Sequence, residues 1–450
     1  MNSFPKTIKI ALLGAGTVGT AVARLLKEQH DLLSARAGAE LELIGIAVSD
    51  ITKPRDPAID PSLLTDQPEE LIAQADIVIE LIGGIELPLK LVRLALESGA
   101  SVVTGNKALL ATHGPELYEL AAAKDVDLYY EAAVAGAVPV VYGLRESLAG
   151  DQVRAVKGIL NGTTNFILDE MTTKGVSFAE AIALAQKLGY AEADPSADVD
   201  GADAAAKIAI LASLAFHTRV GLSDVAVEGI RSITAKDIAS AARIGYVIKL
   251  IATARREADG IEVRVAPTLI KYDHPLAGIH GSFNAVLIEA QAADRVMFYG
   301  RGAGGAPTAS AVLSDLVAAA SKRVIGGHAP RELVITQLPV LAQSEASSRF
   351  YMKIMVNDES GVLATITSVF AKHGVSISSV RQRSLDLQEE LAAEVELGGI
   401  PGTLHPDSAR LVYLTVITHA ATEAAVQAVV AELETVENVQ RVMRVLHVEE

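Results

Sequence analysis

Ile8-Lys9-Ile10-Ala11-Leu12-Leu13 runs directly into Gly14-Ala15-Gly16-Thr17-Val18-Gly19, and this stretch decides the architecture of the N-terminal part of the chain. The apolar run is short and β-compatible, and Thr20 to Gln29 has helical composition, so the order is strand, glycine turn, helix. The first glycine permits a tight turn, the second lets backbone approach a pyrophosphate, and the third lets the helix pack close to the strand. Free N–H groups at the helix N-terminus then face the phosphates. Gly14, Gly16, Thr17, Val18 and Gly19 are therefore the expected dinucleotide contacts. Lys6 and Lys9 ahead of this apolar run also outline a secretory signal, but the glycine pattern is better explained by a fold.

Outward from this turn, a second strand pattern, Leu41 to Val48, leads to Asp50, where an acid often meets the adenosine ribose. The distance from Gly19 exceeds the usual ~20 residues, so an ordinary loop acid stays an open reading. Asp76 to Ile82 forms the next apolar strand pattern and runs into Gly83-Gly84. A helix around Leu87 to Glu97 and a strand at Ser101 to Thr104 follow. Strands alternating with helices imply a doubly wound parallel sheet of the Rossmann kind, whose ligands sit beyond the carboxyl ends of the strands. Gly105-Asn106-Lys107 falls there; by spacing alone, Lys107 is either a ligand-side lysine or a solvated one.

The 450 residues suit about three domains. Lys and Arg number 39 against 55 Asp and Glu, a net charge of −16, without a basic cluster. Nucleic-acid binding is not expected, because neutralising phosphates needs a basic face. Apolar stretches such as Ile208 to Phe216 fall short of the roughly 20 residues of a membrane span, so no membrane association is expected. The absence of cysteine excludes disulfides, thiolate metal sites and thiol nucleophiles, and with them aldehyde oxidation through a thiohemiacetal.

After a strand pattern around Leu128 to Glu131 comes the small-residue run Ala132 to Pro139, which allows close backbone approach. Asn161-Gly162-Thr163-Thr164-Asn165 lies between apolar segments and reads as a polar turn lining a substrate pocket, with Thr163 as a substrate contact. Gly189 to Lys207 carries Glu192, Asp194, Asp198, Asp200 and Asp203, with Pro195 and Gly201 breaking helix ahead of a helical pattern from Ala202 to His217. Asp203 and Lys207 are four residues apart on one face. A surface ion pair is worth only ~0.3–0.5 kcal/mol, but this helix is apolar nearly all round and so expected to be buried. Burial disfavours a lysine's charged form and prepares it for proton transfer. A third glycine cluster, Gly300-Arg301-Gly302-Ala303-Gly304-Gly305, precedes Pro307 and a helix to about Ser321, either a second cofactor-facing N-terminus at Gly304 or a flexible loop. His274 and His280 lack partners at metal spacing and read as structural.

With these motifs in order, the chain resembles the monofunctional homoserine dehydrogenases over essentially its whole length. Gly189 to Lys207 is the most specific match, supported by Gly14 to Gly19, Gly105 to Leu109, Glu131 to Pro139, Asn161 to Asn165 and Gly302 to Gly305. The resemblance implies a cytoplasmic enzyme that reversibly reduces L-aspartate 4-semialdehyde to L-homoserine with NADPH or NADH. It makes Lys207 the proton donor, places Lys107 by the nicotinamide and substrate oxygen, gives Glu192 the substrate amino group, and completes the site with Asp198 and Asp203. It further implies a sodium or potassium ion held by Glu131 and the backbone oxygens of Val134, Gly136 and Val138.

Beyond Gly326-Gly327, a linker with Gln343 to Ser348 leads to a new pattern. Strands at Phe350 to Val356, Val375 to Leu387, Leu411 to Thr418 and Val439 to Val448, with helices from Gly361 to His373 and Thr422 to Leu433, give a ferredoxin-like βαββαβ unit. A long loop is expected between Gln388 and Arg410. Asp358 to Leu363 resembles the first loop of an ACT domain, an amino-acid sensor, with Ser360 where proline is common; an appendage serving oligomerisation alone is the other reading. The family's place upstream of threonine synthesis makes L-threonine the expected effector. The expected fold is thus α/β: a Rossmann domain (1–135, completed by the helix near 307–325), an α+β substrate and dimerisation domain (136–330), and an ACT domain (349–450), assembled as a homodimer or homotetramer. A phosphoglycerate dehydrogenase also joins Rossmann and ACT units, but its fingerprint is normally internal. An acylating semialdehyde dehydrogenase requires cysteine. A non-catalytic amino-acid and redox sensor is the remaining competitor.

Overall fold

The computed structural model describes residues 6–332, 334, 338–385 and 411–450. Strands β1 (Thr7–Leu13), β2 (Glu40–Ala47), β3 (Leu64–Thr65), β4 (Ile77–Glu80), β5 (Ser101–Thr104) and β6 (Leu128–Tyr129) form a parallel sheet in the order β3-β2-β1-β4-β5-β6. Both faces of β1 are covered, as a parallel sheet requires. Ile8, Ile10 and Leu12 pack with Val22, Leu26, Val312 and Leu316, whereas Ala11 and Leu13 pack with Leu91, Val92 and Leu96. The helix Gly305–Ile325 therefore returns from far along the chain to lie beside the helix Thr17–Glu28.

Two strands end earlier than their apolar runs suggest. β4 stops at Glu80, and the chain then turns through Gly83 and Gly84, both at positive φ. β6 stops at Tyr129, and Glu131 opens a short turn instead, its N–H donating to the buried Asp315 carboxylate at 2.8 Å.

The second sheet has eleven strands. β7 (Val153–Ile159), β9 (Tyr246–Arg256), β10 (Ile261–Lys271), β11 (Phe283–Ala290) and β12 (Arg295–Arg301) form its first part, with β8 (Ala226–Val227) beside β10. β13 (Ser347–Asn357), β14 (Ile377–Ser384), β15 (Leu411–Thr418), β16 (Ala421–Thr422) and β17 (Val439–Glu449), with helices Val362–Lys372 and Glu423–Leu433, give the expected βαββαβ unit. The principal order is β12-β11-β7-β9-β10-β17-β13-β15-β14.

The C-terminal unit is not merely tethered by a linker. Thr268–Ile270 of β10 pairs in parallel with His447–Glu449 of β17, so backbone groups that would be open on two sheet edges satisfy each other. The long loop expected between Gln388 and Arg410 lies outside the described residues.

Candidate active site

The helix Ala202–Phe216 is buried around nearly its whole circumference, as its composition requires. It starts at Gly201, where φ is +89° and a Cβ would come within 2.9 Å of Val227, so the chain enters the core by a route open to glycine. Asp203 lies in the first turn and Lys207 one turn later; their side chains are 9 % and 10 % exposed. This is a buried pair, not a surface one. Lys207 Nζ donates to Asp203 Oδ2 at 2.7 Å and to the Leu160 carbonyl at 2.7 Å.

Two further elements converge on the same carboxylate. Lys107 opens the helix Lys107–Ala123, whose N-cap Asn106 accepts from the Leu109 N–H, and its Nζ lies 2.7 Å from Asp203 Oδ1. Asn161 caps the helix Gly162–Lys174 by accepting from Thr164 N–H, while its Nδ2 donates to Asp203 Oδ2 at 2.9 Å and Asp198 Oδ1 at 2.7 Å. Burial alone would raise the Asp203 carboxyl, but the Lys207 and Lys107 ammonium groups override it and hold it well below the usual range. Burial works against the Lys107 ammonium too, and Asp203, Asp198 and Glu192 outweigh it, raising its pKa. Asp198 moves the other way: burial raises it despite the hydrogen bond from Asn161.

These groups line a cavity of about 740 Å³. The lining includes Lys107, Thr163, Glu192, Asp198, Asp203 and Lys207 together with Gly136, Arg301, Gly302 and Gly304. Thr163 Oγ1 donates to the Tyr190 carbonyl at 2.6 Å, and Glu192 is exposed. Two lysines, a shared carboxylate and outlying acids can bind an amino-acid substrate and protonate an oxygen within it.

The glycine turn fits a dinucleotide. Gly14 has φ +102°, and a Cβ there would fall 2.7 Å from the Leu81 carbonyl; a Cβ on Gly19 would fall 2.1 Å from the Gly14 carbonyl. Gly16 faces open space, so its backbone is free to approach a ligand. Thr17 and Val18 open the helix without a side-chain cap on their amides. Gly304, at φ +124°, precedes a second helix start without a side-chain cap, and a Cβ on Gly305 would lie 3.2 Å from Thr17 O. Two helix N-termini thus stand side by side, an arrangement suited to phosphates.

A neighbouring cavity of about 370 Å³ is lined by Gly14 to Gly16, Val48, Ser49 and Arg55. The Asp50 carboxylate is engaged in its own turn, accepting from Thr52 N–H and Oγ1. Arg55 donates instead to the carbonyls of Ala15 and Asp50.

Glu131 is buried, and its carboxylate accepts from the N–H groups of Val141 (2.9 Å) and Tyr142 (2.8 Å). Burial pushes its pKa up to about 7. Ala135 and Gly136 have φ near +56° and +58°, reversing the chain so that the Ala137 N–H reaches the Arg301 carbonyl. Val134 and Val138 are buried in this reversal, and the Val138 carbonyl accepts from Val140 N–H at 2.8 Å. Among the described residues no cluster of three His, Cys, Asp or Glu side chains suits a metal. The donors here are one carboxylate and neutral carbonyls, a set compatible with a hard monovalent ion.

Sequence reasoning missed the double role of Asn161 and the part played by Glu80, which is fully buried and accepts from Ile82 N–H and Thr104 Oγ1 to fix the strand ends below Lys107. The available signal was an acid closing an otherwise apolar strand.

Comparison with known proteins accords with this geometry. The family model described as homoserine dehydrogenase, NAD binding domain, matches residues 14–131; homoserine dehydrogenase matches 139–317; and ACT domain matches 351–397. The homoserine dehydrogenase of Corynebacterium glutamicum is 51% identical over 424 residues, covering 93% of this chain and 90% of that protein. The crystal structure of a homoserine dehydrogenase from Thiobacillus denitrificans superposes with a TM-score of 0.88 at 36% identity, covering 99% of both chains. A hyperthermophilic archaeal homoserine dehydrogenase in complex with NADPH matches with a TM-score of 0.59 at 27% identity, covering 72% of this chain and 100% of its own. With the Rossmann turn, the substrate sheet and the ACT unit all matched, the chain belongs to the homoserine dehydrogenase family.

Proposed function

We propose that the chain reversibly reduces L-aspartate 4-semialdehyde to L-homoserine at the cavity between the glycine turns and the helix Ala202–Phe216. The observation that carries this reading is the sharing of Asp203 by Lys207 and Lys107 at the cavity wall. A bound nicotinamide cofactor supplies the hydride. Glu192 receives the substrate ammonium, with Asp198 and Thr163 completing the polar surface. Lys207 Nζ stabilises the developing alkoxide and protonates it. Lys107 sits by the carbonyl oxygen and the nicotinamide, and Asp203 keeps both ammonium groups aimed.

Gly14, Gly16, Thr17, Val18, Gly19 and Gly304 receive the pyrophosphate, and Asp50 with its neighbours receives the adenosine ribose of NADP or NAD. Glu131 and the carbonyls of Val134, Gly136 and Val138 suit a sodium or potassium ion that orders the loop joining the cofactor and substrate regions. Residues 1–135 with the returning helix, 136–330 and 349–450 act as cofactor, catalytic and regulatory domains of a cytoplasmic homodimer or homotetramer responsive to L-threonine. Adding L-aspartate semialdehyde to the protein with NADPH or NADH should oxidise the cofactor. Binding of both ligands without oxidation of either cofactor would favour the sensor reading.

A further inference from the structure

Asn284 lies in β11, fully buried, immediately ahead of the buried apolar residues Ala285, Val286 and Leu287. An amide is out of place in such surroundings unless its hydrogen bonds serve something. Its Nδ2 donates to the Leu160 carbonyl at 3.0 Å, the same carbonyl that accepts Lys207 Nζ at 2.7 Å. One oxygen with two lone pairs is therefore filled by two donors. Asn284 Oδ1, by contrast, has no protein partner.

The amide is also wedged in place. A Cβ on Gly302 would fall 2.1 Å from Asn284 Cγ, and one on Gly162 would fall 3.6 Å from Asn284 Oδ1. The side chain thus meets the end of β7, the start of the helix Gly162–Lys174 and the glycine segment before the helix Gly305–Ile325. Those three pieces carry the Lys207 acceptor, Thr163 and the cofactor-facing Gly304.

We propose that Asn284 is a positioning residue for Lys207, acting through the Leu160 carbonyl. An ammonium group has three N–H bonds. Lys207 gives one to Asp203 and one to Leu160, which leaves one for the cavity that it lines. The direction of that third N–H depends on where Leu160 O is held, and Asn284 holds it. The inference rests on the reading of Lys207 as proton donor.

The test compares Asn284→Asp, which keeps the shape but can lose the donor, and Asn284→Leu, which removes both polar atoms, with Lys207→Met. Each is measured for kcat against pH, KM and NADPH binding, and thermal melting. Both Asn284 variants should lose about tenfold in kcat, a smaller misalignment than the ~1 Å displacement that can cost ~100-fold. NADPH affinity should stay within about twofold, because the hydrogen bond removed is to the Leu160 carbonyl beneath Lys207 and not to the phosphates. The pH profile of kcat should also shift. Asp203, Asp198, Glu192 and Lys107 all face the site and are unchanged in both variants, and Asn284→Leu adds no ionisable group, so the shift in Asn284→Leu reports the Leu160 contact. Normal kcat and pH profile in either folded variant would overturn the proposal, as would parallel losses of kcat, NADPH affinity and melting temperature with an unshifted profile. If Asn284→Leu prevents folding, Asn284→Ala, which also removes the donor and adds no charge, decides in its place. Normal turnover in folded Lys207→Met would instead overturn the reading of Lys207 beneath it.

Discussion

Lys207 differs from an ordinary helical lysine in what surrounds it: a nearly all-apolar helix, a carboxylate one turn earlier and the carbonyl of Leu160, just past the end of β7. Those contacts leave little scope for a replacement that restores an acidic proton. Lys207→Met should therefore bind NADPH and melt near the unmodified protein while kcat falls ~100- to 10,000-fold; near-normal kcat would return the pair to a purely structural role. Cofactor choice turns on equally local chemistry. At the end of β2 this chain reads Ala47-Val48-Ser49-Asp50, with no arginine beside the acid, and Arg55 lines the adjoining cavity with Ser49. NADPH should be preferred over NADH only modestly, and measuring kcat/KM for each checks this; a preference above ~1,000-fold, or ~4 kcal/mol, would show that a stronger phosphate contact exists. The acidic stretch and the Asp203–Lys207 pair were legible because their types and spacing are local, whereas spacing alone left Lys107 open between a ligand-side and a solvated lysine. The bond from Asn161 to Asp203 and the part of Asn284 were not legible, since those partners lie 42 and 124 residues away.

At the scale of elements, glycine and apolar periodicity marked most strands and helices, but buried polar side chains decided where several of them end. Glu80, Glu131 and Asn106 each trade a backbone ladder for a side-chain contact, and a residue string does not show which amide will be the donor. Lys249 makes this measurable. It sits inside β9 at 1 % exposure and donates to the Ile279 carbonyl and Asn165 Oδ1, tying β9 to the Gly162–Lys174 helix and the loop before β11. Burial pushes its pKa down from 10.5 to about 8. Its depressed value makes the unfolded chain bind more protons than the folded one between these values, so its contribution to stability is present above about 10.5 and lost as pH falls through about 8. Against Lys249→Met, the unmodified protein should gain unfolding free energy as pH rises from 8 to 10. Urea titrations of both proteins at several pH values check the difference, and parallel curves would mean that Lys249 titrates alike in both states.

The whole molecule departs most from a reading of separable units. The helices and strands of the C-terminal unit were legible from alternation and caps, yet no periodicity reports that β17 will pair with a strand of another region. That pairing is reinforced by side chains: Lys157 of β7 pairs with Glu449 at 2.5 Å and Glu289 at 3.0 Å, Tyr246 donates to Glu450, and Arg444 pairs with Asp237. β7 leads, after Ile159, directly into the Leu160 carbonyl that receives Lys207. Cutting the chain near Ala342 therefore removes a neighbour of β10 and one of the two partners of Lys157 as well as the ACT loop, and it should lower melting temperature and turnover together.

A clean test of regulation must leave that junction intact. Asp358 is at the start of the ACT loop, exposed and bonded to Gln382, far along the chain from the sheet seam. In Asp358→Ala, turnover without effector should stay normal while sensitivity to L-threonine falls. A coupling of ~1–3 kcal/mol corresponds to a ~5- to 150-fold change in apparent affinity. Titrating threonine at fixed semialdehyde separates the possibilities: equal inhibition of the full chain and Asp358→Ala would locate the effector away from this loop, and competitive inhibition would locate it in the catalytic cavity. Noncompetitive loss confined to the unmodified chain would place the effector at the ACT loop, on a sheet that runs through β13, β17, β10 and β9 to β7, the strand that leads into the acceptor of Lys207.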